Sequence, residues 1–340
     1  MGQHLVVKIL LIILGSAIGA AFIMPVLMIF GRRTGIVAKR QYFNERVKIV
    51  PCTGGIGIYW VFIGTLYCAL RLFDMEATPE MCGILAGGLI IHCIGIYDDV
   101  KNASIPLKVI GQVIGIAIAI FFGVRIQIIF FSTTANILLT FLWLFFMSNA
   151  FNFLDILDGL AGGISAVSSL AFGVVGVCTG DLLFALMSFS LTGTLLGFLG
   201  YNYPPARIYM GDAGSLSLGF FIGAVSIAIS YAPLGREIAL FTPLVILGIP
   251  LFDTLFVIII RALNRRSVFH GSKDHLALRL IVSGFQERQA ILFVYFLAFL
   301  FCVNGVIISR VSNAVGLIFL SSNIMVCLLL GFRLAAVKVE

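Results

Sequence analysis

Asp98 and Asp99 stand side by side in the stretch IYDDVKNASIPLK. Two adjacent carboxylates resist joint ionisation unless a cation or strong donors lie close by. Lys108 and Gln112 follow, four residues apart on one face of the next apolar segment, a face that points back toward the same loop. A second stretch, NAFNFLDILDGLAGG, puts Asn149, Asn152, Asp155 and Asp158 at a strict spacing of three. On a helix each such step turns about 300°, so the four groups are expected to form one slanting stripe. Their neighbours are apolar, and a polar stripe cannot face lipid, so it must line a polar cavity or bind something. Gly159, Gly162 and Gly163 then allow backbone to approach closely. In a third stretch, YNYPPARIYMGDAGSLSLG, Pro204 and Pro205 break a helix and Gly211 and Gly214 flank Asp212. Ser215 could cap the helix that follows, whose N-terminus favours anions. Tyr201, Tyr203 and Tyr209 read as interface anchors, and one of them could also stack on a base. In PLFDT, Asp253 sits about two turns inside the end of its span and reads as a supporting group rather than a ligand. The basic segment 261–288, with His270 and His275, suits an anionic substrate held by the acids through a metal.

These groups are carried by segments that cannot fold in water. The chain is 61% hydrophobic and 11% charged, with mean hydropathy +1.13, where a soluble domain carries about 25% charged residues. Apolar runs long enough to cross the hydrocarbon core centre on 5–30, 54–72, 80–97, 106–124, 135–153, 160–179, 182–201, 213–231, 238–260, 289–309 and 314–334. Strand-like alternation is absent, which excludes a barrel. The expected fold class is therefore an all-α integral membrane protein with about eleven transmembrane helices, one polytopic domain over 1–340. Seventeen of the 22 Lys and Arg fall in one set of loops, which places those loops in the cytoplasm. The N-terminus is then outside and the C-terminus cytoplasmic, with cytoplasmic loops at about 31–53, 98–107, 154–159, 202–212 and 261–288. The first span is too long for a cleaved signal and is expected to remain as a helix. Seven of the nine Asp share the basic side, and only Asp74 and Asp181 face outward. The seven Cys show no metal-ligand spacing and behave as small hydrophobes. Gly15/Gly19, Gly193/Gly197 and Gly219/Gly223 have the spacing of tight helix packing.

Carboxylates gathered from separate helices at one membrane face suit a hard divalent cation. Mg²⁺ takes oxygen ligands and is usually held by one or two carboxylates plus substrate phosphates; Mn²⁺ is an acceptable substitute. The surrounding Lys and Arg point to those phosphates, and the whole reads as phosphoryl transfer with one lipid-borne reactant. The alternative is a secondary transporter with membrane-edge carboxylates. Transporters place charges near the bilayer midplane at repeat interfaces, whereas these acids lie at span ends and the sequence shows no internal repeat. A binding scaffold has no need of such a cluster.

From Pro51 to Arg279 the chain resembles the bacterial polyprenyl-phosphate N-acetylhexosamine-1-phosphate transferases. The resemblance rests on PCTGG at 51–55, YDD at 97–99 with Lys108 and Gln112, NAFNFLDILDGLAGG, NYPPARIYMGDAGSLSLG, PLFDT and the Asp274–His275 pair. It implies transfer of a sugar-1-phosphate, most simply N-acetylglucosamine-1-phosphate, from a UDP-N-acetylhexosamine to undecaprenyl phosphate. UMP leaves, Mg²⁺ is required, and the lipid-linked product initiates a cell-envelope glycan of teichoic acid or lipopolysaccharide type. The enzyme is expected in the bacterial cytoplasmic membrane, with its site on the cytoplasmic side and a homodimer common in the family. By resemblance Asp212 is the metal ligand, and Asp98 and Asp99 are the acids at the acceptor phosphate. Asn149, Asn152, Asp155 and Asp158 contact substrate and nucleotide. Asn202 and Tyr209 match the uracil site, and His275 opens a histidine-rich motif near the phosphates. Two departures stand out. Ile156 replaces a family glycine, and Ala277 and Leu278 stand where further histidines are usual, which argues against the phospho-N-acetylmuramoyl-pentapeptide branch. Arg279 is expected to restore some cationic character there. The reaction is either direct attack by the lipid phosphate or a two-step route through an aspartyl phosphate.

Overall fold

The computed structural model describes residues 2–41, 47–229, 231, 236–265 and 274–337. His270 and the basic residues Arg46, Arg266, Lys273 and Lys338 lie outside the described residues, as do parts of the 31–53 and 261–288 loops. The chain divides into two compact units, Met1–Ile229 and Ser230–Glu340.

The first unit holds α1 (Gly2–Thr34), a hairpin of β1 (Val37–Gln41) and β2 (Val47–Pro51), then α2 (Gly54–Phe73), α3 (Pro79–Lys101) and α4 (Ile105–Phe121). It continues with α5 (Thr133–Leu154), α6 (Leu160–Thr179), α7 (Leu182–Asn202) and α8 (Gly211–Ala228). Local chemistry sets several ends. Thr78 accepts from Met81 N at 3.3 Å with Pro79 at the first helical position of α3, and Ser132 accepts from Ala135 N at 3.2 Å to start α5. Asn102 closes α3 in the left-handed region at φ 53°. Helix α7 packs against α1 and α6, while α8 packs against α3 and α5. The Gly193/Gly197 pair works as its spacing predicted, since a Cβ at either residue would collide with the carbonyls of Ile13 or Ala17 on α1. Gly15, by contrast, has open space around it and is not part of such a seam.

Two features depart from the sequence reading. The loop expected over 31–53 contains the antiparallel hairpin, with Val37 opposite Pro51 and Gln41 opposite Val47. The helix of NAFNFLDILDG stops at Leu154, and 155–159 form a turn that leads through Gly159 at φ 78° into α6. Asn149 and Asn152 are therefore helical, Asp155 caps the helix end, and Asp158 has left it, so the four polar groups do not form one stripe.

The second unit opens with a 3₁₀ turn (Glu237–Phe241) and α9 (Thr242–Ile246), followed by α10 (Gly248–Leu263), α11 (Leu276–Val282), α12 (Glu287–Ile308) and α13 (Asn313–Ala335). The segment expected as one span over 238–260 is bent by 69° at Leu247, where Pro243, Gly248 and Pro250 weaken helix continuity. Among the described residues nine helices are long and apolar enough to cross a membrane, the bent pair would make a tenth, and α4 is shorter at 17 residues. The protein is thus a multi-pass membrane protein, all-helical among the described residues apart from the hairpin.

Within this unit Asp253 is buried and uses both oxygens. Oδ1 accepts from Leu276 N at 2.7 Å, capping α11, and Oδ2 pairs with His275 Nδ1 at 2.7 Å. A carboxylate only accepts, so Nδ1 carries the proton and the rest of the ring's chemistry falls to Nε2. Arg279 is not arranged to meet a substrate. Its Nη2 donates to Asp274 Oδ1 at 2.7 Å and its Nε to Asp274 O at 3.1 Å, while Nη1 donates to Leu334 O and Val337 O at 2.6 and 2.7 Å. The guanidinium also lies 5.3 Å from the Phe256 ring centre. With 4% of the residue exposed, it fastens the last turn of α13 and Val337 just beyond it rather than facing solvent. Arg279→Ala should therefore lower stability by about 3 kcal/mol, as expected when one partner of a buried pair is removed. Arg279→Lys should not rescue it, because a single ammonium cannot reproduce the fork. Thermal unfolding of the purified protein in detergent checks both, and a wild-type midpoint for Arg279→Ala would refute the assignment.

Candidate active site

The first unit brings Asp98, Asp99 and Asp212 together, with one ligand atom from each within 4.8 Å of the others. Two helices position them. Asp98 and Asp99 lie in the last turn of α3, and Asp212 in the first turn of α8. Neighbours on a helix point about 100° apart, and the two adjacent acids accordingly meet different partners. Asp98 Oδ2 accepts from Lys108 Nζ on α4 at 2.7 Å, and the same ammonium reaches Asp212 Oδ2 at 2.7 Å. The side chains of Lys108, Asp98 and Asp212 keep 28%, 14% and 25% exposure, so solvent and ions can enter. Asp99 turns instead to the start of α8, where Oδ1 accepts from Asp212 N at 2.9 Å and Oδ2 from Ala213 N at 3.1 Å. It caps a helix that has no side-chain cap of its own, since Ser215, the expected cap, bonds Gly211 O inside the helix. Gly211, at φ 71°, leaves room for that carboxylate, because a Cβ there would lie 2.5 Å from Asp99 Oδ2.

Further donors complete the frame. Asn152 Nδ2 donates to Asp212 Oδ1 at 3.0 Å and to Ser215 Oγ at 2.9 Å, fixing the Asp212 carboxylate from α5. Gly54 N and Gly55 N donate to the carbonyls of Tyr209 and Met210, and Tyr209 N donates to Pro51 O at 2.8 Å. The PCTGG segment is thus strapped beside the entry to α8. Cys52 Sγ lies 3.9 Å from Asp99 Oδ1 and donates to it. Burial first, and then the carboxylates of Asp99, Asp155 and Asp212, push the Cys52 thiol far above its usual range, so it stays protonated. His92, one face of α3 above Asp99, donates from Nδ1 to Ala213 O at 2.9 Å and stacks on Tyr59 with ring centres 4.3 Å apart. Cys52, expected to behave as a small hydrophobe, is instead bonded to the cluster, and His92 is a member of the frame that no motif marked. A histidine inside an apolar span was the available signal for the second.

The remaining expected contacts are built into the scaffold. Asn149 exchanges hydrogen bonds with Gln112, at 2.8 and 3.4 Å, and joins α5 to α4. Asp158 Oδ2 accepts from Ala206 N at 2.8 Å, while Asn202 accepts from Gly159 N at 2.9 Å and donates to Ile208 O at 2.8 Å. Both are buried and tie the 155–159 turn to the 203–210 loop. The Tyr209 ring packs with Val50 and Ala206, so in this structure its aromatic face meets protein. Asp155 is partly exposed at the end of α5. His275 and Arg279 belong to the second unit and its networks.

Three carboxyl groups beside one lysine are a hard oxygen donor set with excess negative charge, chemically suited to a divalent cation such as Mg²⁺. The model for glycosyl transferase family 4 matches residues 81–230, which run from the first turn of α3 through α8 and contain every member of the cluster. The chain is 32% identical over 315 residues, covering 89% of it and 85% of the relative, to the "Probable undecaprenyl-phosphate N-acetylglucosaminyl 1-phosphate transferase" of Bacillus subtilis (strain 168). It is 30% identical over 303 residues, 80% of the chain and 75% of the relative, to the decaprenyl-phosphate N-acetylglucosaminephosphotransferase of Mycobacterium tuberculosis (strain CDC 1551 / Oshkosh). A phospho-N-acetylmuramoyl-pentapeptide-transferase of Levilactobacillus brevis is 29% identical over 247 residues, 66% of the chain and 76% of the relative. The chain therefore belongs to the polyprenyl-phosphate N-acetylhexosamine-1-phosphate transferases of glycosyl transferase family 4, on the N-acetylglucosamine side of that family.

Proposed function

We propose that the protein transfers N-acetylglucosamine-1-phosphate from UDP-N-acetylglucosamine to undecaprenyl phosphate at the cytoplasmic face of the bacterial cytoplasmic membrane. The observation that carries this reading is the Asp98–Lys108–Asp212 bridge, in which two carboxylates from separate helices share one cation. The names of the relatives support the acceptor and the sugar phosphate, and the distribution of Lys and Arg in the sequence supports the cytoplasmic face.

Each residue then has a task. Asp212, held by Asn152 and backed by Asp98, is assigned to Mg²⁺, which when bound neutralises charge on the diphosphate. Lys108 supplies a positive charge for the donor phosphates. The acceptor is a phosphate monoester with a second pKa of about 6, so at neutral pH it is mostly dianionic and needs little help from a base. Its oxygen forms the new bond to the sugar-bearing phosphorus as the bond to UMP breaks, and UMP leaves with the bridging oxygen. Asp98 positions the attacking phosphate or takes its residual proton. Asp99, with both oxygens engaged on α8, is assigned to holding Asp212 in place. The product is a lipid diphosphate sugar that starts a cell-envelope glycan.

UMP release by the purified protein tests the reading, with Mg²⁺, undecaprenyl phosphate and a panel of UDP-sugars. UDP-N-acetylglucosamine should be the best donor, chelation should stop release, and Asp212→Asn should lower turnover by about a hundredfold or more. Equal rates for Asp212→Asn and wild type would remove the metal assignment. The adjacent acids should separate cleanly. Asp98→Asn is expected to lose turnover at an unchanged unfolding temperature, whereas Asp99→Asn, which turns an NH₂ toward backbone N–H groups, should lose both by about 1–3 kcal/mol of stability. Exchange of labelled UMP into UDP-sugar without lipid acceptor distinguishes the chemical routes; direct attack predicts none, and measurable exchange would establish the aspartyl-phosphate route instead.

A further inference from the structure

The ammonium of Lys108 occupies the gap between the two acids that matter most. Its Nζ is 2.7 Å from Asp98 Oδ2 and 2.7 Å from Asp212 Oδ2. Those are ammonium–carboxylate distances; Mg²⁺ holds oxygens at about 2.0–2.1 Å. Three of the other four carboxylate oxygens of the cluster already accept hydrogen bonds. Asp212 Oδ1 accepts from Asn152, Asp99 Oδ1 accepts from Asp212 N and Cys52, and Asp99 Oδ2 accepts from Ala213 N. A cation placed where Asp98 Oδ2 and Asp212 Oδ2 converge, between α3 and α8, therefore competes with Lys108 for both oxygens. Two cations sharing one pair of oxygens also repel each other within a few ångströms, where screening by solvent is weak. Lys108 can leave. It sits in the first turn of α4 on a flexible four-carbon stem and is partly exposed.

We propose that Lys108 and the divalent cation exchange. In the metal-free protein the ammonium clamps Asp98 to Asp212, keeping two carboxylates together that would otherwise repel. Metal entry displaces it, and the displaced ammonium, its carboxylate partners taken, is left to pair with the donor's phosphates. Lys108 thereby links metal occupancy to phosphate binding. The inference rests on the metal reading given above, and its test separates the two.

The test uses the full chain in nanodiscs without substrate. Mn²⁺ binding is measured by electron paramagnetic resonance, and acylation of Lys108 by a water-soluble amine reagent is measured by mass spectrometry. Exposed Lys101 serves as the internal standard. Saturating Mn²⁺ should raise the labelling rate of Lys108 about tenfold relative to Lys101, and Lys108→Met should bind Mn²⁺ about tenfold more tightly than wild type. Asp212-dependent Mn²⁺ binding with unchanged Lys108 labelling would overturn the exchange while leaving the metal site standing. Mn²⁺ binding that is absent, or equal in wild type and Asp212→Asn, would overturn the metal reading and the exchange with it. The labelling arm needs no variant, so it stands even if Lys108→Met folds poorly.

Discussion

A helix that begins at a membrane edge presents four backbone N–H groups, with little water behind them to satisfy the bonds. Helix α8 meets this constraint with help from elsewhere in the chain. Its first residues are Gly211 and Asp212, and nothing in its own leading segment caps it. Asp99 covers the amides of Asp212 and Ala213 from α3, while His92, seven residues earlier and so two turns back on the same face, holds the carbonyl of Ala213. Gly95 lies between them on that face, and any Cβ there would collide with Ala213. Three residues of α3 are thus committed to seating the one turn of α8 that carries Asp212. The Asp212 carboxylate inherits its position from that seat.

The two neighbouring acids of α3 consequently do different work despite their identical chemistry. One faces the opening beside Lys108 and the other is consumed by backbone. A charge count over the cluster overstates the carboxylate available to a ligand, since a group that already accepts two N–H bonds has fewer lone pairs to offer. The same device recurs in the second unit, where Asp253 caps α11 through Leu276 N and orients His275 with its other oxygen. In both units a buried aspartate reaches from one helix to fix the start of another, and a neighbouring polar side chain is placed as a result.

Much of this was legible in the residues because it depends on local pattern. Apolar runs announced the helices, and the four-residue spacing of Lys108 and Gln112 put both on the face that meets Asp98, Asp212 and Asn149. What escaped depends on partners far away in the chain. The spacing of Asn149, Asn152, Asp155 and Asp158 fits a helix, but the chain turns after Leu154, and Asp158 finds Ala206 N, 48 residues on. Nothing local marks Asp99 as a cap for a helix 113 residues later, or Arg279 as the anchor for carbonyls at Leu334 and Val337. Polar side chains in apolar sequence announce that they have partners without announcing which ones, and a clamp and a ligand look alike until the backbone is in place.

The strap at PCTGG carries a consequence for biogenesis. Gly54 and Gly55 hydrogen-bond to the carbonyls of Tyr209 and Met210, so the segment leading into α2 completes the approach to α8. The cluster draws on residues near 52, 98–99, 108, 152 and 212. During synthesis the first seven helices must be in the bilayer before α8 exists, with the acids of α3 waiting for an amide partner that has not been made. Closing so long a loop is slow compared with forming any single helix. The nascent protein therefore assembles the carboxylate cluster in one late step, when α8 docks, and a chain interrupted before residue 212 would be inserted and largely helical but without the cluster.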